Sequence, residues 1–281
     1  MDITYLQTVK NITSRLEAVG IEGARTESEL ILSELTKCSR SELFMRYGTP
    51  LPQSILYFLE EVVQRREKHE PLQYILGHAY FMNLDLLLSP DVLIPRPETE
   101  LLVERICKIA PDGGKILDLG TGSGAIALAL AFERKDLFVT AVDVSMKALK
   151  VAEKNRVKYK LENVIFVESN LFENLKKHSF DCIAANLPYV SELEYLDLMP
   201  EVKDFEPKLA LTALDNGLEL IYKCIKQAAE HLKPNGIIIF EMGISQAQSI
   251  HDALKDTGKF KNIATIQDYS KRDRFVYAEL A

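Results

Sequence analysis

From Lys115 to the C-terminus, short apolar runs alternate with stretches of helical periodicity, and this alternation limits the folds open to the chain more than any other feature. Lys115–Leu119, Phe138–Val142, Val164–Val167, Asp181–Ala185 and Ile237–Glu241 read as strands, separated by helical patterns such as Ala125–Glu133 and Lys147–Lys158. Strands buried on both faces read as continuous apolar runs, and helices between them supply the crossovers of a parallel sheet. The spacing therefore predicts an α/β, doubly wound, mostly parallel sheet. Asn262–Asp268 and Arg274–Leu280 add a final pair of strands, expected to be antiparallel at one edge.

The first part of the chain has another texture. Up to about His69, apolar residues recur at helical spacing, as in Leu51, Ile55, Leu56, Phe58, Leu59, Val62 and Val63, with breaks near Gly20, Ser39 and Pro50. That pattern predicts a small helical bundle. Leu72–Ser89 is rich in Tyr, Phe, Ile and Leu around a Met82-Asn83 break and reads as a β-hairpin. We expect a helical N-terminal domain over 1–70, serving substrate recognition, a hairpin linker over 71–90 and a larger domain over 91–281.

The loop between the first strand of the sheet and its helix is Asp118-Leu119-Gly120-Thr121-Gly122-Ser123-Gly124. Glycines permit a sharp turn and a close approach of ligand to main chain. The spacing is G-x-G-x-G rather than the G-x-G-x-x-G of dinucleotide binders, and Asp118 would repel a pyrophosphate while suiting an ammonium or sulfonium group. Asp143 ends the next strand, where a carboxylate can accept hydrogen bonds from both hydroxyls of a ribose. Loop, Asp118 and Asp143 together resemble the first two motifs of the class I S-adenosylmethionine-dependent methyltransferases. The resemblance implies a Rossmann-like, seven-stranded, mostly parallel sheet and S-adenosylmethionine as cofactor, leaving S-adenosylhomocysteine. It makes Asp118, Gly120, Thr121, Gly122, Ser123, Gly124 and Asp143 cofactor-binding residues. Asn170 and Leu171, after the third strand, are placed to read and cover the adenine, and Asn186 borders the same pocket.

The fourth strand runs into Asn186-Leu187-Pro188-Tyr189, which resembles the catalytic motif of methyltransferases acting on planar exocyclic nitrogens. Such a nitrogen is a poor nucleophile because its lone pair is delocalised. In this arrangement the Asn186 side-chain oxygen accepts one N–H and the Leu187 carbonyl the other. Pro188 aims that carbonyl, and Tyr189 offers a face for stacking. Orientation of this kind can supply on the order of 7–11 kcal/mol of the barrier. Adenine N6 and a glutamine side chain present the same NH₂, and the Asn-Leu-Pro-Tyr spelling is common among ribosomal RNA adenine dimethyltransferases, so adenine methylation of RNA or DNA is the alternative.

The flanks separate the two. Glu70-Pro71-Leu72-Gln73-Tyr74-Ile75-Leu76-Gly77 and Val92-Leu93-Ile94-Pro95-Arg96-Pro97-Glu98-Thr99-Glu100 resemble the signature of the release-factor glutamine methyltransferases, the PrmC/HemK family. The likeness extends through Phe205-Glu206-Pro207, Asp215-Asn216-Gly217-Leu218, Phe240-Glu241-Met242-Gly243 with Gln246, and Asp268 to Arg274. It implies methylation of the glutamine N5 in the Gly-Gly-Gln loop of class 1 peptide-chain release factors, important for translation termination. Prolines stiffen the backbone around Arg96, and Glu98 begins a helix, so Arg96 and Glu98 join Asn186, Leu187, Pro188 and Tyr189 as expected substrate-binding residues at the pocket wall. The chain departs from the family pattern in three places: Leu187 for the usual first proline, Asn170 where Asp is frequent, and Ser270-Lys271 for the usual Ala-Gly.

Composition bears on the rival reading. The formal charge is −7, about −3 over residues 1–85 and −4 over the remainder, so neither part is a basic arm and direct nucleic-acid binding is not expected. Cys38, Cys107, Cys182 and Cys224 lack CxxC spacing, and His69, His78, His178, His231 and His251 are scattered, so no metal site is expected. With no signal-peptide pattern or long apolar run, we expect a cytoplasmic monomer without membrane contact.

Overall fold

The computed structural model describes residues 3–281. They form two compact units, one holding the residues up to Gly77 together with Pro200–Phe205, the other His78–Met199 and Glu206–Ala281.

The first unit is helical: α1 (Tyr5–Ala18), α2 (Ala24–Thr36), α3 (Arg40–Met45), α4 (Leu56–Glu67) and α5 (Leu72–Leu76). Capping boxes start two of these helices, Thr4 with Gln7 at α1 and Ser39 with Glu42 at α3. Each lets a side chain take up a backbone N–H that the first turn leaves unpaired. Tyr5, Val9, Ile12 and Leu16 of α1 pack with Ile31 and Leu32 of α2 and Leu59 and Val63 of α4. Arg66 of α4 is buried yet fully engaged, its guanidinium donating to Glu27 at 2.6 Å and to Glu201 at 2.9 Å. That second bond brings Pro200–Phe205, distant in sequence, into this unit.

Two features differ from the sequence reading. Leu72–Leu76 is a helical turn rather than a strand, because Pro71 starts it and Gly77, at φ 79°, ends it in the left-handed region. The hairpin is shorter, β1 (His78–Phe81) against β2 (Leu84–Leu87), turning at Met82-Asn83 as expected. It also belongs to the second unit rather than standing as a linker. Asn155 accepts from the Leu87 N–H at 2.7 Å and donates to the Leu87 carbonyl at 3.0 Å, so the hairpin edge is hydrogen-bonded like a sheet edge.

In the second unit α6 (Glu100–Ile109) is followed by β3 (Lys115–Leu119), α7 (Ala125–Glu133), β4 (Phe138–Asp143), α8 (Met146–Tyr159), β5 (Val164–Glu168) and β6 (Phe180–Ala185). Then come α9 (Glu192–Leu196), α10 (Pro200–Lys203, in the first unit), α11 (Glu219–His231), β7 (Leu232–Glu241), α12 (Ala247–Asp256), β8 (Phe260–Gln267) and β9 (Asp273–Leu280). The sheet order is β5-β4-β3-β6-β7-β9-β8, parallel from β5 to β7 and antiparallel at β9 and β8. This is the class I methyltransferase arrangement expected from the sequence.

Alternate residues of the strands feed two cores. Ile116, Val139, Ala141, Cys182, Ala184 and Ile239 face one side with α7, whose Ala125–Ala131 stretch is buried on every face. Leu117, Leu119, Val142, Ile183, Ala185 and Phe240 face the other with α11 and α12. Cross-strand register aligns Leu119 with Val142 and Ala185, and Ala185 with Phe240. The residues that follow, Gly120, Asp143, Asn186 and Glu241, therefore emerge along one edge. Strand order reverses between β3 and β6, the position at which open α/β sheets form a ligand crevice.

The Ser270-Lys271 departure lies in the turn between β8 and β9. Lys271 sits at φ 61°, a conformation that glycine adopts without strain. The Asp268 carboxylate holds this turn by accepting from the Arg272 N–H at 3.0 Å.

Candidate active site

The glycine loop is held from below and behind. Asp118, fully buried at the end of β3, accepts from the Thr121 hydroxyl at 2.6 Å and the Ala127 N–H at 3.2 Å through one oxygen. Its other oxygen has no hydrogen-bond partner among the described residues. Burial, with the neighbouring Asp143 charge adding to it, pushes this carboxyl up to about 7. A cationic group brought beside it would supply the missing partner and restore the charge.

The backbone N–H groups of Gly120 and Thr121 both donate to the Val142 carbonyl at 2.9 Å. Gly120 lies at φ 72°, and a Cβ there would come within 3.3 Å of the Asn186 carbonyl oxygen. Glycine thus lets the loop meet the β6 terminus closely. Asp143 accepts one backbone N–H on each oxygen, from Gly122 at 2.9 Å and Ser145 at 2.8 Å. Each oxygen keeps further lone pairs, enough to accept two vicinal hydroxyls. Asn155 completes this side by donating to the Ser123 carbonyl at 3.0 Å.

Between these elements lies a cavity of about 480 Å³. Gly120, Gly122, Asp143, Asn170, Leu171, Asn186, Leu187 and Pro188, all named in the sequence analysis, line it. Lys147, Leu209, Ala210 and the segment Pro90–Leu93 line it too; of these only Val92 and Leu93 stand in a stretch of family resemblance. Asp118, Thr121, Ser123, Gly124 and Tyr189 are not among the residues that line the cavity. Asn170 donates its amide to Glu173 at 2.9 Å on an exposed surface, a bond that competes with any ligand for the same group.

Arg96 and Glu98 are not among the lining residues. Arg96 donates to Glu206 at 2.6 Å, and Glu206, nearly fully buried, also accepts from the Ile94 N–H at 3.3 Å. Arg96 therefore fastens the wall at Glu206, next to the lining residues Pro207, Leu209 and Ala210, rather than forming the wall. Glu98 is exposed in the turn Pro97–Thr99.

Asn186-Leu187-Pro188-Tyr189 is braced by residues far away in the chain. The Asn186 amide N–H donates to the Thr99 hydroxyl oxygen at 3.3 Å, and that hydroxyl donates to Glu241 at 2.6 Å. The other oxygen of Glu241 accepts from the Tyr189 hydroxyl at 3.4 Å. Burial raises Glu241 above the ordinary carboxylate range, although Thr99, Arg274 and Tyr189 oppose the shift. Burial, with the Glu241 charge beside it, pushes Tyr189 up to about 12, so it remains a neutral donor.

Gln246 secures the far end of the loop, donating to the Tyr189 carbonyl at 2.8 Å and the Asn216 carbonyl at 3.1 Å while accepting from Gly243 at 2.9 Å. Gly217 makes room for it, since a Cβ there would fall 2.0 Å from the Tyr189 carbonyl oxygen. Thr99, Glu206, Glu241 and Gln246 all lie within the stretches of family resemblance. Nothing in their local spacing assigned them a role.

This arrangement can hold an adenosine-bearing, positively charged ligand at the glycine loop and Asp143. It can also present hydrogen-bond acceptors to a planar NH₂ at the β6 terminus.

Comparison with known proteins agrees with that chemistry. The PrmC N-terminal domain family matches residues 7–77, and the methyltransferase small domain family matches residues 97–201. Among solved structures, a methyltransferase from Pyrococcus furiosus shares the fold at a TM-score of 0.54 and 18% identity, over 71% of this chain and 89% of that one. The release factor glutamine methyltransferase of Fusobacterium nucleatum is 39% identical over 95% of this chain and 76% of its own length. That of Geobacter sulfurreducens is 38% identical over 92% and 90%, and that of Coxiella burnetii 37% identical over 98% and 99%. At this identity over nearly the whole of this chain and at least three quarters of each relative, the chain belongs to the release factor glutamine methyltransferase family.

Proposed function

We propose that the protein methylates the side-chain amide nitrogen of the glutamine in the Gly-Gly-Gln motif of class 1 peptide-chain release factors, with S-adenosylmethionine as methyl donor. The observation that carries this reading is the cavity itself, which joins Asp143 and the glycine loop on one side to Asn186, Leu187 and Pro188 on the other. The names of the relatives support the substrate.

The residues present fit the donor. Asp143 has acceptor capacity for two ribose hydroxyls, Asp118 keeps an unpartnered buried oxygen, and Gly120 and Gly122 bring bare backbone to the cavity. When bound, S-adenosylmethionine supplies an electrophilic methyl group on sulfonium.

The protein's own contribution is positioning. In this reading Asn186 and the Leu187 carbonyl, both on residues that line the cavity, accept the two N–H bonds of the substrate amide. Holding both in the plane of the amide turns the nitrogen lone pair out of that plane, toward the donor side. The two hydroxyl donors to Glu241 occupy both of its oxygens, so it is engaged as a brace rather than as a base. Leu187, in place of the family's usual proline, is buried and keeps the carbonyl the chemistry requires.

The helical unit supports a recognition role. On α3 and α4 it exposes Phe44, Met45, Tyr57 and Phe58, with Met45 and Tyr57 each 77% exposed. Large apolar side chains left exposed are available to a protein partner.

The test is incubation with labelled S-adenosylmethionine and a class 1 release factor, beside the same factor with its Gly-Gly-Gln glutamine changed to alanine. Label on the first alone is expected. Equal labelling of both would refute the reading.

A further inference from the structure

We propose that Thr99 and Glu241 form a positioning relay that sets which way the Asn186 amide faces, and thereby makes the site accept an NH₂ group rather than a hydrogen-bond acceptor. The proposal rests on the function above, in which Asn186 receives the substrate nitrogen.

An asparagine side chain has two chemically opposite ends of nearly equal size, one donating and one accepting. Sterics alone barely distinguish the two orientations. One turns Oδ1 toward the substrate; the other would present NH₂ there, where it would meet another NH₂. Something beside Asn186 must therefore break the tie, and that neighbour is Thr99.

A hydroxyl has one proton. In this structure the Thr99 hydroxyl donates it to Glu241 at 2.6 Å, much the shorter of its two contacts. Its oxygen can then only accept on the Asn186 side, and the group opposite it is the amide NH₂ of Asn186 at 3.3 Å. With Nδ2 held there, Oδ1 is left for the substrate. A flipped Asn186 would set its carbonyl against the Thr99 lone pairs.

Glu241 fixes the polarity in its ionised form, which the two hydroxyl donors and Arg274 favour against burial, because a carboxylate only accepts. It takes the Thr99 hydroxyl on one oxygen and the Tyr189 hydroxyl on the other, and at 2% exposure it has no solvent to turn toward. One buried residue at the end of β7 thus orients both ends of the Asn186–Tyr189 loop, and Arg274 and Glu98 are the charged groups around it. Neither Thr99 nor Glu241 lines the cavity, so both are positioning residues that touch neither ligand.

The experiment compares steady-state kinetics of the full chain on a class 1 release factor for wild type, Glu241→Gln, Thr99→Val and Thr99→Ser. Glu241→Gln keeps the shape but can donate to Thr99, which frees the threonine proton to point at Asn186 and lets the amide flip. Misorientation at a reacting centre costs on the order of 10²-fold. We expect kcat to fall about 10- to 100-fold in Glu241→Gln and Thr99→Val, with KM for S-adenosylmethionine within about threefold, as fits residues outside the donor cavity. Thr99→Ser retains the hydroxyl and is expected to recover most of kcat. Should Glu241→Gln fail to fold, the Val and Ser pair at position 99 decides alone.

An active wild type with Glu241→Gln or Thr99→Val at full kcat overturns the relay and leaves the function standing. Loss confined to KM for the donor, or a Thr99→Ser variant as impaired as Thr99→Val, overturns it as well. A wild type inactive on the release factor overturns the function, and the relay with it.

Discussion

The two sides of the cavity are built in different ways. On the donor side, contacts are shorter in sequence and made largely to backbone: Asp118 holds Thr121 and Ala127, Asp143 holds Ser145 and reaches back 21 positions to Gly122, and Asn155 reaches back 32 to Ser123. On the acceptor side, Asn186 and Tyr189 are braced by Thr99, Glu241 and Gln246, which lie 52 to 87 positions away. A loop that carries its own supports can be recognised as a motif. A loop supported from elsewhere shows only its reactive residues.

The sharpest break in this comparison is at Asn186. Asn186→Ala removes an acceptor for the substrate amide, and we expect kcat to fall by about 10²–10³, the usual cost of one key stabilising contact, while donor affinity changes far less. Single-turnover labelling, with donor binding measured by calorimetry, checks both halves. A comparable loss of donor affinity would erase the distinction between the sides.

A smaller effect is expected at Asp118 and is read through pH. Its carboxyl is raised from 3.8 to about 7 in the folded protein, so the folded state binds the proton more readily than the unfolded state does. For this group, stability is greatest at low pH and declines as the pH rises from 3.8 to about 7, with no further change above. A cationic ligand favours the ionised form. Affinity for S-adenosylmethionine should therefore rise about tenfold between pH 6 and pH 8, with release of a proton on binding below pH 7. Calorimetry in two buffers of different ionisation enthalpy measures that proton, and a flat affinity would place Asp118 in loop support alone.

The smallest effect is expected at Asn170. It is exposed, and its amide is already engaged by Glu173. Asn170→Ala should change donor affinity by less than about threefold, since an exposed hydrogen bond exchanged for water contributes little. A tenfold loss would show that Asn170 gives up Glu173 to read the adenine.

Legibility in the sequence followed the same division. The strands from Lys115 to Glu241 and the closing antiparallel pair were readable because buried parallel strands are continuous apolar runs set off by helical periodicity. The hairpin turn at Met82-Asn83 was readable for a related reason. Leu72–Leu76 was not, since five apolar-rich residues serve a strand or a helical turn equally well, and Pro71 and Gly77 decided for the turn. Arg96 was visible as a stiffened, charged position, but its ion pair with Glu206 was not, because that partner stands 110 residues away. Pro200–Phe205 offered no local sign that Glu201 would answer Arg66.

The sequence by itself determined the strands and helices, the glycine loop with Asp118, the aspartate that closes the next strand, and Asn-Leu-Pro-Tyr at the end of a strand, because each of these is written in residues a few positions apart. Tertiary structure alone decided that Glu241 and Thr99 stand behind Asn186, that Gln246 holds the Tyr189 carbonyl, and that Arg96 serves Glu206. The physical reason is parallel register. It brings the ends of β3, β4, β6 and β7 to one edge, and so joins side chains whose separation along the chain conceals their partnership.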